Sequence, residues 1–205
     1  MLVGSGKLER YWDHHWSNWL VNLAQGDYAV SDEPILLTTV LGSCVAACLY
    51  APDKQIGGIN HFLLPQAGAS ESDSSSLRYG IHAMEILINS LLRKGACRET
   101  LELKVCGAAD VVSGLSNRVG QANSAFIRLY AQQEQLNLLA ADLGGDNPRR
   151  VIFNPTTGSM KVKRLARHLS KDDVREETVQ AAKLEREVLG HAEVELFNKD
   201  KEAMR

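Results

Sequence analysis

Leu36 to Pro65 of this chain read LLTTVLGSCVAACLYAPDKQIGGINHFLLP. A β-rich segment ends near Val40, a continuous apolar run extends from Val45 to Tyr50, and a third apolar segment extends from Ile56 to Leu64 after a polar turn. Apolar runs of this length are typical of strands that are covered on both faces. The stretch therefore predicts neighbouring buried strands, which the rest of the chain is expected to cover.

A thiol and an imidazole stand on two of these segments. Cys44 directly follows the small residues Gly42 and Ser43, and His61 lies seventeen positions further along the chain. A cysteine attacks as its thiolate, and a nearby histidine can take the proton and stabilise the anion. A buried cysteine can also be simply a small apolar residue. The residue types alone leave both interpretations open.

The order of several short sequence blocks along the chain favours the catalytic interpretation of Cys44 and His61. They are Thr38 to Ala46 (TTVLGSCVA), Gly57 to Pro65 (GGINHFLLP), Arg78-Tyr79-Gly80, Ala83-Met84-Glu85, Leu87-Ile88-Asn89, Lys104 to Ala108 (KVCGA), Asp142 to Gly145 (DLGG) and Pro155 to Gly158 (PTTG). In this order they resemble the chemoreceptor glutamine deamidase family, CheD. The resemblance covers about residues 28 to 165, and several blocks in one order are more specific than a single motif.

The resemblance implies a catalytic triad of Cys44, His61 and Thr38. Cys44 would attack a glutamine side-chain amide on a chemoreceptor, His61 would move the protons, and Thr38 would hold the imidazole ring. The thioester would then be hydrolysed to leave glutamate, with no metal and no organic cofactor. The backbone N–H of Cys44 is a candidate donor to the oxyanion.

The resemblance also implies partners. The cytoplasmic helices of chemotaxis receptors would be the substrate, and a CheC-type phosphatase binds some members of the family. Methylesterase activity on the same receptors is implied for some members. Two other interpretations stay open: a non-catalytic adaptor that binds and stimulates such a phosphatase, and a cysteine hydrolase with a different acyl substrate.

Composition excludes several other classes. The 205 residues carry a net charge of only -2 and 6% aromatic residues, so neither a basic nucleic-acid surface nor a base-stacking platform is expected. The four cysteines form no CxxC pair and read as reduced thiols. No segment is long and apolar enough to predict membrane insertion or a secretion signal. A cytoplasmic protein is expected.

Three regions are predicted along the chain. Residues 1–27 hold all three tryptophans at helical spacing and are expected to form an aromatic-rich helical extension. Residues 28–165 form the CheD-like domain. Residues 166–205 turn abruptly to charged residues and are expected to form a partly helical tail.

The expected fold class is mixed α/β, a layered sandwich of packed mixed β-sheets. Two amphipathic helices, marked by apolar residues from Met84 to Leu92 and from Asn123 to Tyr130, are expected on one face. The serine-rich segment Gln66 to Ser76 is predicted to be a loop. Ala122 stands where the family usually has arginine.

Overall fold

The computed structural model describes residues 1–5, 8–64, 74–111 and 117–166. The loop predicted over Gln66 to Ser76 falls outside these ranges, except for its last three positions, which begin a helix. The tail predicted over 166–205 falls outside them after residue 166. Within the described ranges, no helix combines the length and apolarity that crossing a membrane requires.

Six strands of the described chain form one sheet, called sheet A. They are β1 (Val3–Gly4), β4 (Tyr28–Ser31), β6 (Val45–Ala51), β7 (Ile56–Phe62), β8 (Glu102–Gly107) and β9 (Asn137–Leu143). Their order is β1-β4-β7-β6-β8-β9, and β8 and β9 are parallel while the other neighbours are antiparallel. The two long apolar segments, β6 and β7, lie at the centre, as their continuous apolar sequences predict.

Five strands form a second sheet, called sheet B. They are β2 (Arg10–Asp13), β3 (Asn18–Asn22), β5 (Leu36–Leu41), β10 (Arg149–Phe153) and β11 (Met160–Arg164). Their order is β11-β10-β5-β3-β2, with β3 and β5 parallel. Both sheets are therefore mixed, and the predicted fold class of packed mixed sheets is confirmed.

Two helices cover the face of sheet A that points away from sheet B. They are α1 (Ser74–Arg93) and α2 (Asn117–Gln133). One apolar cluster joins them to the sheet, and it includes Val45, Ala47, Leu49, Met84, Leu87, Ile88, Leu91, Phe126 and Ile127. Because alternate residues of a strand point to opposite faces, the odd-numbered positions of β6 take part in this cluster. The even-numbered positions of β6 are left facing sheet B.

The prediction of a helix in residues 1–27 is wrong. Trp12 on β2 pairs with Trp19 on β3, and their rings meet edge to face with centroids 5.6 Å apart. The Asp13 carboxylate accepts hydrogen bonds from the backbone N–H groups of His15 and Trp16, which reverses the chain between the strands. The helical spacing of the tryptophans is a consequence of a hairpin that sets aromatic residues opposite each other.

The first 27 residues are also part of both sheets. The strand β1 pairs with β4 in sheet A, and β3 pairs with β5 in sheet B. The Leu20 and Val21 side chains of β3 are 3% and 0% exposed, respectively. This segment therefore completes the layers around β5 and is not an extension of the domain.

Candidate active site

The pairing of β6 with β7 places the predicted nucleophile and base. Ala46 lies opposite His61 in this antiparallel pair. Cys44 directly precedes β6 and stands two positions before Ala46, so the side-chain alternation of the strand puts it on the same face as His61. The register makes Cys44 and His61 diagonal neighbours on the face of sheet A that points to sheet B.

The bend formed by Gly42, Ser43 and Cys44 is held in place through its three backbone carbonyl groups. Each of the three accepts a hydrogen bond: Gly42 O from Ala109 N (2.8 Å), Ser43 O from Asn123 Nδ2 (3.0 Å) and Cys44 O from Ala108 N (2.6 Å). These donors come from the end of β8 and from α2, elements far away in sequence. The position of the thiol is therefore set by long-range hydrogen bonds on three successive residues.

Gly107 permits the closest of these approaches. Its φ is +122°, and a Cβ built on it would stand 2.2 Å from the Cys44 carbonyl oxygen. Such a separation is far inside van der Waals contact, and the φ value is one that residues with a side chain rarely adopt. Glycine at this position lets the backbone of β8 reach the Cys44 carbonyl.

Thr39 is the partner of the imidazole. Its Oγ1 lies 2.8 Å from His61 Nδ1 and 2.8 Å from the Leu23 carbonyl oxygen. A hydroxyl has one proton, and the Leu23 carbonyl can only accept, so the hydroxyl donates to Leu23 and accepts from Nδ1–H. This arrangement assigns the proton to Nδ1 and leaves the Nε2 lone pair as the basic site. Among the described residues, the buried Nε2 has no hydrogen-bond partner.

The structure places the hydroxyl of Thr38, the third member of the predicted triad, away from the imidazole of His61. Thr38 Oγ1 donates to the Val151 carbonyl at 2.8 Å, on the face of β5 opposite to His61. Thr39 lies on the inner face of β5 with Leu37 and Leu41, all three of which are 0% exposed. Since adjacent residues of a strand point to opposite faces, Thr38 and Thr39 cannot both reach the imidazole.

Burial makes His61 a neutral imidazole. The side chain is 6% exposed, and this burial lowers the pKa of His61 from 6.5 to about 4. The nearby Leu23 carbonyl and the charge of Asp27 oppose the shift. At neutral pH the ring is therefore uncharged and able to accept a proton at Nε2.

The remaining cysteines have the properties of structural or surface thiols. Burial raises the pKa of Cys106 to about 12 and that of Cys48 well above its usual range, and both are nearly inaccessible. Cys97 is exposed and donates to the Glu99 carboxylate. The buried thiol of Cys106 is thus kept protonated. Across the described ranges, no three His, Cys, Asp or Glu side chains are grouped to hold a metal ion.

The turn that connects β3 to β4 covers the site. Gly26 N donates to the His61 carbonyl at 2.7 Å, and His61 N donates to the Asp27 carbonyl at 2.9 Å. The turn itself is closed by Asp27, whose Oδ2 accepts from Ala24 N. Gln25, at the tip of the turn, brings its Oε1 within 3.4 Å of Cys44 Sγ, and the thiol donates to it. A glutamine carboxamide therefore lies against the candidate nucleophile.

Three site residues were missed by sequence reasoning. Thr39 could have been found from the β5 pattern, because it alternates with the apolar residues Leu37 and Leu41. Asn123 was expected only as part of a helix face, whereas its fully buried amide joins Leu64 N to Ser43 O. Gln25 carries no local signal, since only the packing of its turn against β7 brings it to Cys44.

The fold and the site together define a layered α/β protein with a buried cysteine and histidine on neighbouring positions of one sheet face. Residues 63–164 match the family model described as CheD chemotactic sensory transduction. The chain belongs to the CheD family, because relatives that carry this name align with it over most of its length.

Three of these relatives illustrate the extent of the similarity. A probable chemoreceptor glutamine deamidase CheD of Xanthomonas campestris pv. campestris (strain B100) is 48% identical over 157 residues, 76% of this chain and 78% of that protein. The corresponding CheD 1 of Shewanella oneidensis is 45% identical over 76% of this chain and 77% of that protein. That of Burkholderia mallei (strain SAVP1) is 46% identical over 76% and 68%.

Solved structures are more distant. A crystal structure of a Neisseria meningitidis protein, of family model DUF152, gives a TM-score of 0.36 with 11% identity, covering 62% of this chain and 64% of that chain. A likeness of this size supports no argument about the chain.

Proposed function

We propose that this protein deamidates glutamine side chains of chemotaxis receptors, with Cys44 as nucleophile, His61 as general base and acid, and Thr39 as the group that orients His61. The names of its curated relatives support the substrate, since each is called a probable chemoreceptor glutamine deamidase. The geometry around His61 supports the type of reaction.

The observation that carries the proposal is the hydrogen-bond chain from Leu23 through Thr39 to His61 Nδ1. It leaves Nε2, which has no hydrogen-bond partner in the described part of the chain, as the basic atom, on the sheet face that also carries Cys44. A nucleophile, a base and a third group that orients the base are the pattern of covalent catalysis by a side chain.

The reaction is written in two halves. In the first, His61 Nε2 takes the thiol proton while Sγ attacks the amide carbon, and an S–C bond forms. The tetrahedral intermediate then collapses as the C–N bond breaks, and the leaving nitrogen takes the proton from Nε2 and departs as ammonia. In the second half, Nε2 takes a proton from water, the hydroxide oxygen attacks the thioester, and the S–C bond breaks. Sγ recovers its proton and the product is a glutamate side chain.

The nature of Thr39 affects how well the protonated His61 is stabilised during these steps. A threonine hydroxyl orients the ring but brings no negative charge to stabilise the imidazolium that forms in each half-reaction. The low pKa of His61 in the free protein has the same consequence, because a buried ring resists protonation. We therefore expect a neutral imidazole before substrate binds, and a slow chemical step.

The same site supports hydrolysis of methyl esters on receptor glutamates. An ester and an amide give the same acyl-enzyme on Cys44, and methanol is an easier leaving group than ammonia. Receptor methylesterase activity is accordingly part of the proposal, with the same residues in the same roles.

The direct test is mass spectrometry of a receptor cytoplasmic fragment from the same organism. The fragment is incubated with the wild-type protein, with Cys44→Ala and with Cys48→Ala as a matched control, since Cys48 is a buried thiol outside the site. Conversion of specific glutamines to glutamate by the wild type and Cys48→Ala, but not by Cys44→Ala, supports the proposal. No conversion by any of the three would favour an adaptor that binds a CheC-type phosphatase, which a binding assay with Cys44→Ala then examines.

A further inference from the structure

The carboxamide of Gln25 is a polar group beside Cys44 to which the proposed mechanism gives no role. Its Oε1 accepts a hydrogen bond from Cys44 Sγ at 3.4 Å. Its Nε2 is buried and, in the described part of the chain, has no acceptor. A buried donor without a partner costs free energy, so a folded protein retains one only when something else requires it.

The position of this donor matches a need of the reaction. When Sγ bonds to an amide or ester carbon, the carbonyl oxygen becomes an oxyanion only two bonds from the sulfur. A donor on a carboxamide that already touches the sulfur lies within reach of that oxygen. Side-chain amides of asparagine and glutamine are among the groups that stabilise such oxyanions.

The turn that carries Gln25 is held in place by the base itself. Both backbone groups of His61 are hydrogen bonded to this turn, the carbonyl from Gly26 N and the N–H to the Asp27 carbonyl. The Asp27 carboxylate closes the turn through Ala24 N and also accepts from the Ser5 hydroxyl. The Gln25 backbone is thus fixed relative to His61, and only its side-chain torsions are left to adjust. A donor that is already dehydrated, on a backbone that is already fixed, has only its side-chain torsions to adjust when charge develops.

We infer that Gln25 is an oxyanion-stabilising residue of this site, which donates from Nε2 to the tetrahedral intermediate formed on Cys44. In the free protein the carboxamide accepts the thiol hydrogen through Oε1. When that hydrogen leaves for His61 Nε2 and the sulfur bonds to carbon, Oε1 loses its donor, and the amide turns its N–H towards the new negative charge. This inference rests on the proposed function for its substrate, but only acyl transfer to Cys44 is needed for its chemistry.

The test compares Gln25→Leu, which keeps a side chain of similar size without a donor, with Gln25→Ala and the wild type. Each is made in a Cys97→Ser background, because Cys97 is the exposed thiol among the described cysteines. Two rates are measured: deamidation of the receptor fragment, as kcat and KM, and alkylation of Cys44 by iodoacetamide. Alkylation forms a bond to the sulfur without forming an oxyanion, so it reports the thiol alone.

The expected result is that Gln25→Leu lowers kcat by about 10²- to 10³-fold, with KM and the alkylation rate little changed. An unchanged kcat would overturn the inference. So would a rise of both kcat and the alkylation rate in Gln25→Ala, which would mean that the carboxamide only covers the thiol. A parallel fall of both rates would also overturn it, because Gln25 would then act on the thiol and not on the oxyanion.

A second substrate separates this inference from the proposed function. p-Nitrophenyl acetate acylates an active thiol through a tetrahedral oxyanion and needs no receptor. If the wild type fails to deamidate the receptor but shows an acetylation burst at Cys44, a slower burst in Gln25→Leu upholds the role of Gln25 while the receptor proposal fails. If neither substrate acylates Cys44 in the wild type, both are overturned.

Discussion

The Thr39 hydroxyl lies 2.8 Å from His61 Nδ1, while the hydroxyl of the adjacent Thr38 lies on the opposite face of the same strand and donates to the Val151 carbonyl. One step along β5 therefore separates a hydroxyl that contacts His61 from a hydroxyl that joins two strands. Both threonines are buried, so they form a natural pair for testing what the site requires.

The first prediction concerns this pair. Thr39→Val removes the hydroxyl that accepts from His61 Nδ1 and is expected to lower kcat roughly 100-fold, the smaller end of what a positioned base contributes. Thr38→Val loses one buried hydrogen bond as well, and both variants should lose about 1–3 kcal/mol of unfolding free energy. Kinetics on the receptor fragment and urea unfolding measure the two effects. An equal loss of kcat in both variants would contradict the assignment of Thr39.

The second prediction concerns pH and stability. The pKa of His61 falls from 6.5 in an unfolded chain to about 4 in the fold, so between these values the unfolded state binds the additional proton. Stability should be fully present above about pH 6.5 and should decrease as the pH falls towards 4, by about 3 kcal/mol from this residue.

Urea unfolding at several pH values between 4.5 and 7 measures this loss of stability, since the range covers most of the interval between the two pKa values of His61. His61→Gln replaces the ring by a neutral group and serves as the comparison, because the difference between the two proteins removes the contribution of the other histidines. The variant should show the weaker dependence on pH. Identical slopes would mean that the imidazole is not held neutral by burial.

The third prediction concerns the contact between β8 and the nucleophile. Gly107→Ala adds a Cβ that would meet the Cys44 carbonyl oxygen at 2.2 Å, at a residue with φ of +122°. The combined strain and clash should cost about 3 kcal/mol or more of unfolding free energy and displace Cys44.

Gly144→Ala is the matched control for this substitution. Gly144 also has a positive φ, of +81°, but nothing lies within 4 Å of a Cβ built there. Its cost should be limited to about 1–2 kcal/mol of backbone strain, with activity retained. Thermal or urea unfolding together with the deamidation assay distinguishes the two. Equal losses would show that the approach to Cys44 contributes nothing beyond backbone conformation.

The fourth prediction concerns Asn123. Its amide donates to Ser43 O at 3.0 Å and accepts from Leu64 N at 2.8 Å, and the side chain is 0% exposed. Asn123→Ala leaves both backbone groups unpaired and should cost about 2–4 kcal/mol, with loss of activity because the bend before Cys44 loses an anchor.

Ala122→Arg is the comparison for Asn123→Ala. Ala122 is the preceding residue of α2 and is exposed, so a large side chain there should change the unfolding free energy by no more than about 0.5 kcal/mol. Denaturant unfolding and Cys44 alkylation measure both variants. Full activity in Asn123→Ala would show that the other carbonyl contacts of the bend are sufficient.

Most of the secondary structure after residue 27 could be predicted from local pattern. The apolar spacing from Met84 to Leu92 and from Asn123 to Tyr130 predicted α1 and α2 correctly. These segments have one side covered and one side less covered, so their period is visible in the sequence. The helix predicted for the tryptophan segment is wrong. The spacing of Trp12, Trp16 and Trp19 fits a helical period, although Asp13 turns the chain back and forms a hairpin.

The sequence by itself determined the chemical groups and their strands: a cysteine after a glycine-containing bend, a histidine on the next apolar segment, and the family to which both belong. Only the tertiary structure decided which hydroxyl contacts His61, which amide approaches Cys44 and which helix residue is hydrogen bonded to its bend. Apolar periodicity is a property of one segment. The partners of a buried polar atom come from distant segments, and Thr39, Gln25 and Asn123 meet the site only after two sheets and a helix have packed together.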